Sequence, residues 1–161
     1  MPRTALRKKD WEHRLTILQA WRTWCDETKE PKLDNGATYR AVLDGCAITV
    51  RAICGILDVK CYFGNKAISD GPNRLAELLT CCCRGKPEVE TLATEAQRCL
   101  LAVLYLGNRA VAHPDNGNLD HKVGHTEMTS AINTVLTWLA VRTKLWPELA
   151  MVSPDLLKLI P

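Results

Sequence analysis

Between Tyr39 and Leu57 apolar residues return every three or four positions: Tyr39, Val42, Leu43, Cys46, Val50, Ile53, Cys54 and Leu57. That period places them on one face of an α-helix about five turns long. A stripe this wide is stable in water only when other elements cover it, so the chain has to build a packed helical core around this segment. Gly45 and Gly55 lower the helix propensity here, and a close approach of neighbouring helices would account for them.

The rest of the chain repeats the pattern more weakly. A first helix is predicted from about Leu6 to Thr28, with Trp11, Leu15, Leu18, Trp21 and Cys25 on or beside its stripe. Pro31 to Gly36 breaks it. A loop from Asp58 to Gly71 holds Cys61, Tyr62 and Phe63, which reads as a loop anchored on the core. A short third helix is expected from Pro72 to Cys83, and a fourth from about Glu88 to Asn108. Pro114 to Gly124 is a polar loop rich in Asp, Asn and Gly. Thr126 is the expected N-cap of a fifth helix ending before Pro147. A last short helix starts at Ser153 with Pro154 in its first position. No segment carries a strand or hairpin pattern that competes with these. The expected fold is all-α: one antiparallel bundle of about five helices plus a short C-terminal helix, spanning 1–161, with the core at about 6–146 and an appendage at 147–161.

With 161 residues, 47% of them hydrophobic, the chain can bury a core without disulfides. Its eight cysteines occur without a zinc-type CxxC pair, and the opening residues are charged, with no apolar secretory run behind them. The expectation is a cytoplasmic, reducing compartment in which most cysteines are small core residues. Cys81-Cys82-Cys83, placed on a helix, would point about 100° apart and could not converge. No apolar run is long enough to span a membrane. A net charge of +3 is too small to argue for nucleic acid by itself. The basic start, with Lys8, Lys9 and Arg14, reads first as a solvated helix face and second as a strip for phosphates.

One stretch stands apart. In Leu104-Tyr-Leu-Gly-Asn-Arg-Ala-Val-Ala-His-Pro-Asp115 an apolar stripe gives way to polar groups at a helix end. Arg109 and His113 are four apart and share a face if the helix continues. Arg can hold a phosphodiester through paired hydrogen bonds, and His can move a proton near neutral pH. Asn108 could bond an RNA hydroxyl or orient the imidazole. The plain reading is a cation and an imidazole complementing the helix dipole. His121 and His125 stand at i, i+4 spacing, but Gly124 and the polar loop argue against a metal site, and neither metal nor cofactor is expected.

The segment Gly107-Asn-Arg-Ala-Val-Ala-His-Pro114 resembles the motif of HEPN domains. These are helical bundles, many of them dimeric, metal-independent RNases of prokaryotic defence and toxin–antitoxin systems. The resemblance implies an all-helical fold and RNA as substrate. It also implies that His113 assists cleavage by the substrate 2′-hydroxyl, with Arg109 and Asn108 beside it and Lys8, Lys9, Arg14 and Asp115 available to the bound strand. The family arginine precedes the histidine by more residues than Arg109 does; those earlier places hold Gly107 and Asn108. The competing expectation is a non-catalytic module binding a protein partner or small ligand. Trp11, Trp21 and Trp24 on the first helix suggest a homodimer in either case.

Overall fold

The computed structural model describes residues 7–27, 37–68, 81–84, 92–111, 123–143 and 145–161. Helix dominates them. In chain order they form α1 (Lys8–Glu27), α2 (Ala37–Ile56), β1 (Lys60–Phe63), β2 (Lys66–Ile68), β3 (Cys81–Arg84), α3 (Thr94–Tyr105), α4 (His125–Arg142), α5 (Pro147–Ala150) and α6 (Pro154–Leu157). A π-helical segment, Leu106–Val111, continues α3. The all-helical expectation describes this architecture apart from one small sheet.

The α1 stripe is the one its sequence predicts. Trp11, Leu15, Leu18 and Trp21 are all buried. The helix starts where the Asp10 carboxylate turns back to accept the Arg7 backbone N–H at 3.0 Å, satisfying a donor that the first turn cannot. α2 buries Leu43, Cys46, Val50, Ile53 and Cys54. It meets α1 where the Cys46 thiol donates to the Ile17 carbonyl, 3.6 Å away. α2 closes on Asp58, whose φ of 57° puts it in the left-handed region. The Val59 N–H bonds the Cys54 carbonyl and the Asp58 N–H bonds that of Gly55, a paired closure usually made by glycine.

The sheet corrects the sequence reading, which expected no strand here. The supposed loop around Cys61 is β1 of a hairpin, and Cys81–Cys83, expected to end a helix, lie in β3. Residues 72–80 of that expected helix lie outside the described residues. The strand order is β2-β1-β3, and both pairings are antiparallel. The physical signal was short. Gly64-Asn65 is a two-residue turn between Phe63 and Lys66, and Gly64 has the positive φ, 60°, that such a turn demands. Three- and four-residue strands are too brief for an alternating pattern to outweigh helical periodicity.

Helix boundaries moved for equally local reasons. α3 begins at Thr94, leaving Leu92 outside the helix but packed on the core. α4 is capped by Gly124 rather than Thr126, because Glu127 accepts the Gly124 N–H at 2.9 Å. The last helix starts after Ser153 with Pro154 in its first turn, as expected. The stretch read as an appendage contributes Leu149, Val152, Leu156 and Leu159 to the core. Trp146 stacks on Trp11 with ring centroids 5.7 Å apart. Trp11 and Trp21 are thus consumed inside the chain, and the aromatic surplus that suggested a homodimer is largely used up.

Candidate functional site

From Cys99 to Asn108 every residue is buried. A helix apolar all round sits at the centre of a fold, and α3 does so, packed against α2 and α4. Its end does not fray into solvent. It widens into the π-helical Leu106–Val111, a winding that is rare and concentrated at functional sites.

Gly107 explains why this segment can lie where it does. A Cβ built on it would stand 2.9 Å from the Ala47 carbonyl oxygen and 3.2 Å from the Ala47 carbonyl carbon. The π segment therefore packs directly on the α2 backbone, and only glycine fits. Gly45 and Gly55, which the sequence offered as close-contact glycines, do not have this role. A Cβ on Gly45 would meet Ile17 Cγ2 at an ordinary 3.8 Å, and one on Gly55 would meet nothing within 4 Å. The close approach was legible only as an oddity of the motif, a glycine where an arginine is expected.

Asn108 follows, and only 5% of it is exposed. The two roles expected of it, bonding an RNA hydroxyl and orienting the His113 imidazole, both involve groups outside the described residues. The backbone of Arg109 lies in the π segment, and its side chain is outside the described residues, as are His113, Asp115 and His121. His125 is described. It opens α4, exposed, with its ring 5.8 Å from that of Trp21. Among the described residues no cluster of three or more His, Cys, Asp or Glu could hold a metal ion.

Lys8 and Lys9, at the start of α1, lie along the helix away from the Ala47–Gly107 contact. Both are exposed, and Lys8 pairs with Glu12 at 3.6 Å. Arg14 turns back along its own helix to donate to the Asp10 carbonyl at 3.0 Å. α1 meets α2 at Ile17 and Cys46, next to the Ala47 that Gly107 touches, whereas Lys8 lies nine residues away, about 13 Å along the axis. Cys46 and Cys54 behave as core residues. Burial pushes the Cys46 thiol up to about 12 and the Cys54 thiol higher still, helped by nearby Cys61, so neither supplies a thiolate near neutral pH.

Sequence reasoning missed a second feature. Along α4, Thr126, Thr129, Ser130, Asn133, Thr134 and Thr137 recur at helical spacing. Among the described residues they line a groove of about 850 Å³ toward Leu92, Ala93 and Ala96, with His125, Trp138 and Val141 completing it. The Trp21 indole N–H donates to Thr129 Oγ1 at 3.1 Å, and Arg22 donates to Asn133 Oδ1, also at 3.1 Å. Among the described residues the groove carries hydroxyls, an amide, an imidazole and an indole, and no carboxylate. Its signal in the sequence was the polar stripe opposite Met128, Ile132, Val135 and Leu139. No helix among the described residues is long and apolar enough to cross a membrane. Comparison with protein-family models, curated proteins and solved structures gave no match.

Proposed function

We propose that this chain is a HEPN-like helical protein that binds RNA, and cleaves it, through the segment Asn108–His113, in a prokaryotic defence, toxin–antitoxin or mobile-element setting. The observation that carries the reading is the π-helical winding of Leu106–Val111 around a buried asparagine, at the one place where the sequence resembles the family motif. In this reading the arginine of the site is Arg109. Position 107 has no room for a side chain against Ala47, so Gly107 is a packing requirement and not a lost catalytic group. Arg109 holds the phosphodiester, and His113 moves the proton as the substrate 2′-oxygen attacks the adjacent phosphorus and the 5′-oxygen leaves. Asn108, being buried, is a positioning residue. A homodimer would bring two such segments to one cleft, as the resemblance implies.

The test is cleavage of a labelled single-stranded RNA by wild type, His113→Ala and Arg109→Ala. Wild type should leave a 2′,3′-cyclic phosphate, both variants should lose the activity, and a 2′-deoxy substitution at the scissile nucleotide should block it. Equal inactivity of all three proteins would overturn cleavage, and unchanged RNA affinity in both variants would overturn binding at this segment.

The groove along α4 favours a second reading, a non-catalytic module for a small polar ligand or a protein segment. Its volume falls in the usual range for ligand sites, about 300–1,000 Å³. Replacing Asn133 and Thr137 with alanine should then abolish ligand binding while His113→Ala leaves it intact.

A further inference from the structure

The three adjacent cysteines cannot converge from a helix, but they lie on a strand, where alternate residues share a face. β1 is the middle strand of its sheet. Cys61 stands directly opposite Cys83, Tyr62 opposite Cys82, and Phe63 opposite Cys81. On its other edge β1 pairs Phe63 with Lys66, Tyr62 with Ala67 and Cys61 with Ile68.

The turn fixes which of these pairs are hydrogen-bonded. A hairpin closed by two residues, here Gly64 and Asn65, has a hydrogen-bonded pair next to the turn, and the two kinds alternate from there. Phe63–Lys66 is therefore hydrogen-bonded, Tyr62–Ala67 is not, and Cys61–Ile68 is. The N–H and C=O of one strand residue point to the same edge. Cys61 uses both toward β2 and has neither left for β3. The Cys61–Cys83 pair is thus of the non-hydrogen-bonded kind, with Cα atoms about 4.5 Å apart. That lies within the span of about 4.4–6.8 Å that a disulfide bridges. Cys81 is diagonal to Cys61, about 7–8 Å away, and Cys82 falls on the other face.

We propose that Cys61 and Cys83 form a reversible cross-strand dithiol, which a small-molecule disulfide oxidises to a bond tying β3 to β1. In the first step the Cys83 thiolate, rather than that of the buried Cys61, attacks the small disulfide, forming a mixed disulfide and releasing one small thiolate. The second cysteine then attacks the protein sulfur of that mixed disulfide, closing the Cys61–Cys83 bond and releasing the second small thiolate. Two protein thiols are oxidised, and one small disulfide is reduced to two thiols. The pair lies near the short end of the permitted span, so a dithiol reductant should open it readily. β1 follows directly on α2, whose Ala47 supports Gly107. Oxidation would therefore fasten β3 to the end of α2, the helix against which the π segment packs.

The experiment treats the reduced full-length protein with oxidised glutathione under native conditions, blocks remaining thiols and digests with trypsin. Cleavage at Lys60, Lys66, Arg74 and Arg84 puts Cys61 alone on one peptide, and Cys81, Cys82 and Cys83 together on another. The expected result is one cross-link between those two peptides, lighter by two hydrogens and reversed by dithiothreitol. Cys83→Ser should abolish it, while Cys82→Ser and Cys81→Ser retain it at close to the wild-type yield. Because serine is nearly the size of cysteine, circular dichroism of all three variants should match wild type. A cross-link that survives in Cys83→Ser, a bond from Cys61 to Cys54, or glutathione adducts without a cross-link would each overturn the proposal.

Discussion

Two regions of this molecule carry uncharged hydrogen-bonding side chains on helices, and they use them in opposite ways. At the π segment a single amide, Asn108, is sealed inside, and the backbone around it touches the backbone of α2. Along α4 a stripe of hydroxyls and the Asn133 amide lines an open groove. A buried polar group must be satisfied within the fold and fixes geometry, whereas an exposed one exchanges water for ligand at little cost. The first region therefore governs stability, and the exposed members of the second, such as Asn133 and Thr137, are free to vary without unfolding the chain. Substitutions that respect that division sharpen it, and substitutions that violate it break it.

The largest effect should come from Gly107→Arg. A Cβ at 2.9 Å from the Ala47 carbonyl oxygen forces α2 and the π segment apart, and the guanidinium adds a charge to a buried site. Overpacking alone costs about 1–3 kcal/mol, so a loss of about 3 kcal/mol or more is expected, read as a drop in the urea midpoint. A variant that keeps its midpoint and gains ribonuclease activity would show that position 107 is where an arginine belongs.

Asn108→Leu comes next. It is close to isosteric but strands whatever the amide bonds, at a cost of about 1–3 kcal/mol. Urea unfolding with an unchanged slope would place the loss in the native state. No loss would mean the amide contributes nothing to the fold, and the contrast between the two regions would fail.

The same contrast explains what the sequence could disclose. The stripes of α1 and α2 were legible because long helices repeat one physical signal many times, and Trp11, Leu15, Leu43 and Val50 are where that signal puts them. The sheet was not, because β1 and β2 together offer seven residues, and Cys81–Arg84 gave no alternation to set against the helical pattern upstream. Asn108 was singled out as polar, but whether it faces water depends on the approach of α2, which no local pattern encodes. The polar stripe of α4 is present in the letters, but threonine and serine on a helix usually mean solvent, so the pattern alone does not mark a groove.

Ser130→Ala and Thr137→Ala test the groove side. Each should move stability by less than about 0.5 kcal/mol, measured by the same unfolding curves. The Thr137 hydroxyl donates to the Asn133 carbonyl of its own helix at 2.8 Å, an arrangement that slightly disfavours helix, so its removal costs the fold little. A loss as large as that of Asn108→Leu would mean the groove is structural.

The smallest effect belongs to the exposed ends, where neither region contributes. The Asp10 carboxyl is held below its ordinary 3.8 chiefly by the hydrogen bond from the Arg7 backbone N–H, with the Arg7 charge adding to it. The Arg98 side chain, bonding Glu95, lowers that carboxyl in the same way. A depressed folded-state value means that the folded form favours the ionised group. The stabilisation is therefore complete above the unfolded value and is lost as pH falls through the lower folded value. Stability of wild type should decline as pH drops below about 4, and Asp10→Asn should flatten that limb while leaving the urea midpoint near pH 7 close to that of wild type. A plateau that falls as far as it does for Asn108→Leu would show that the first turn of α1 holds the fold together as strongly as the buried π segment does.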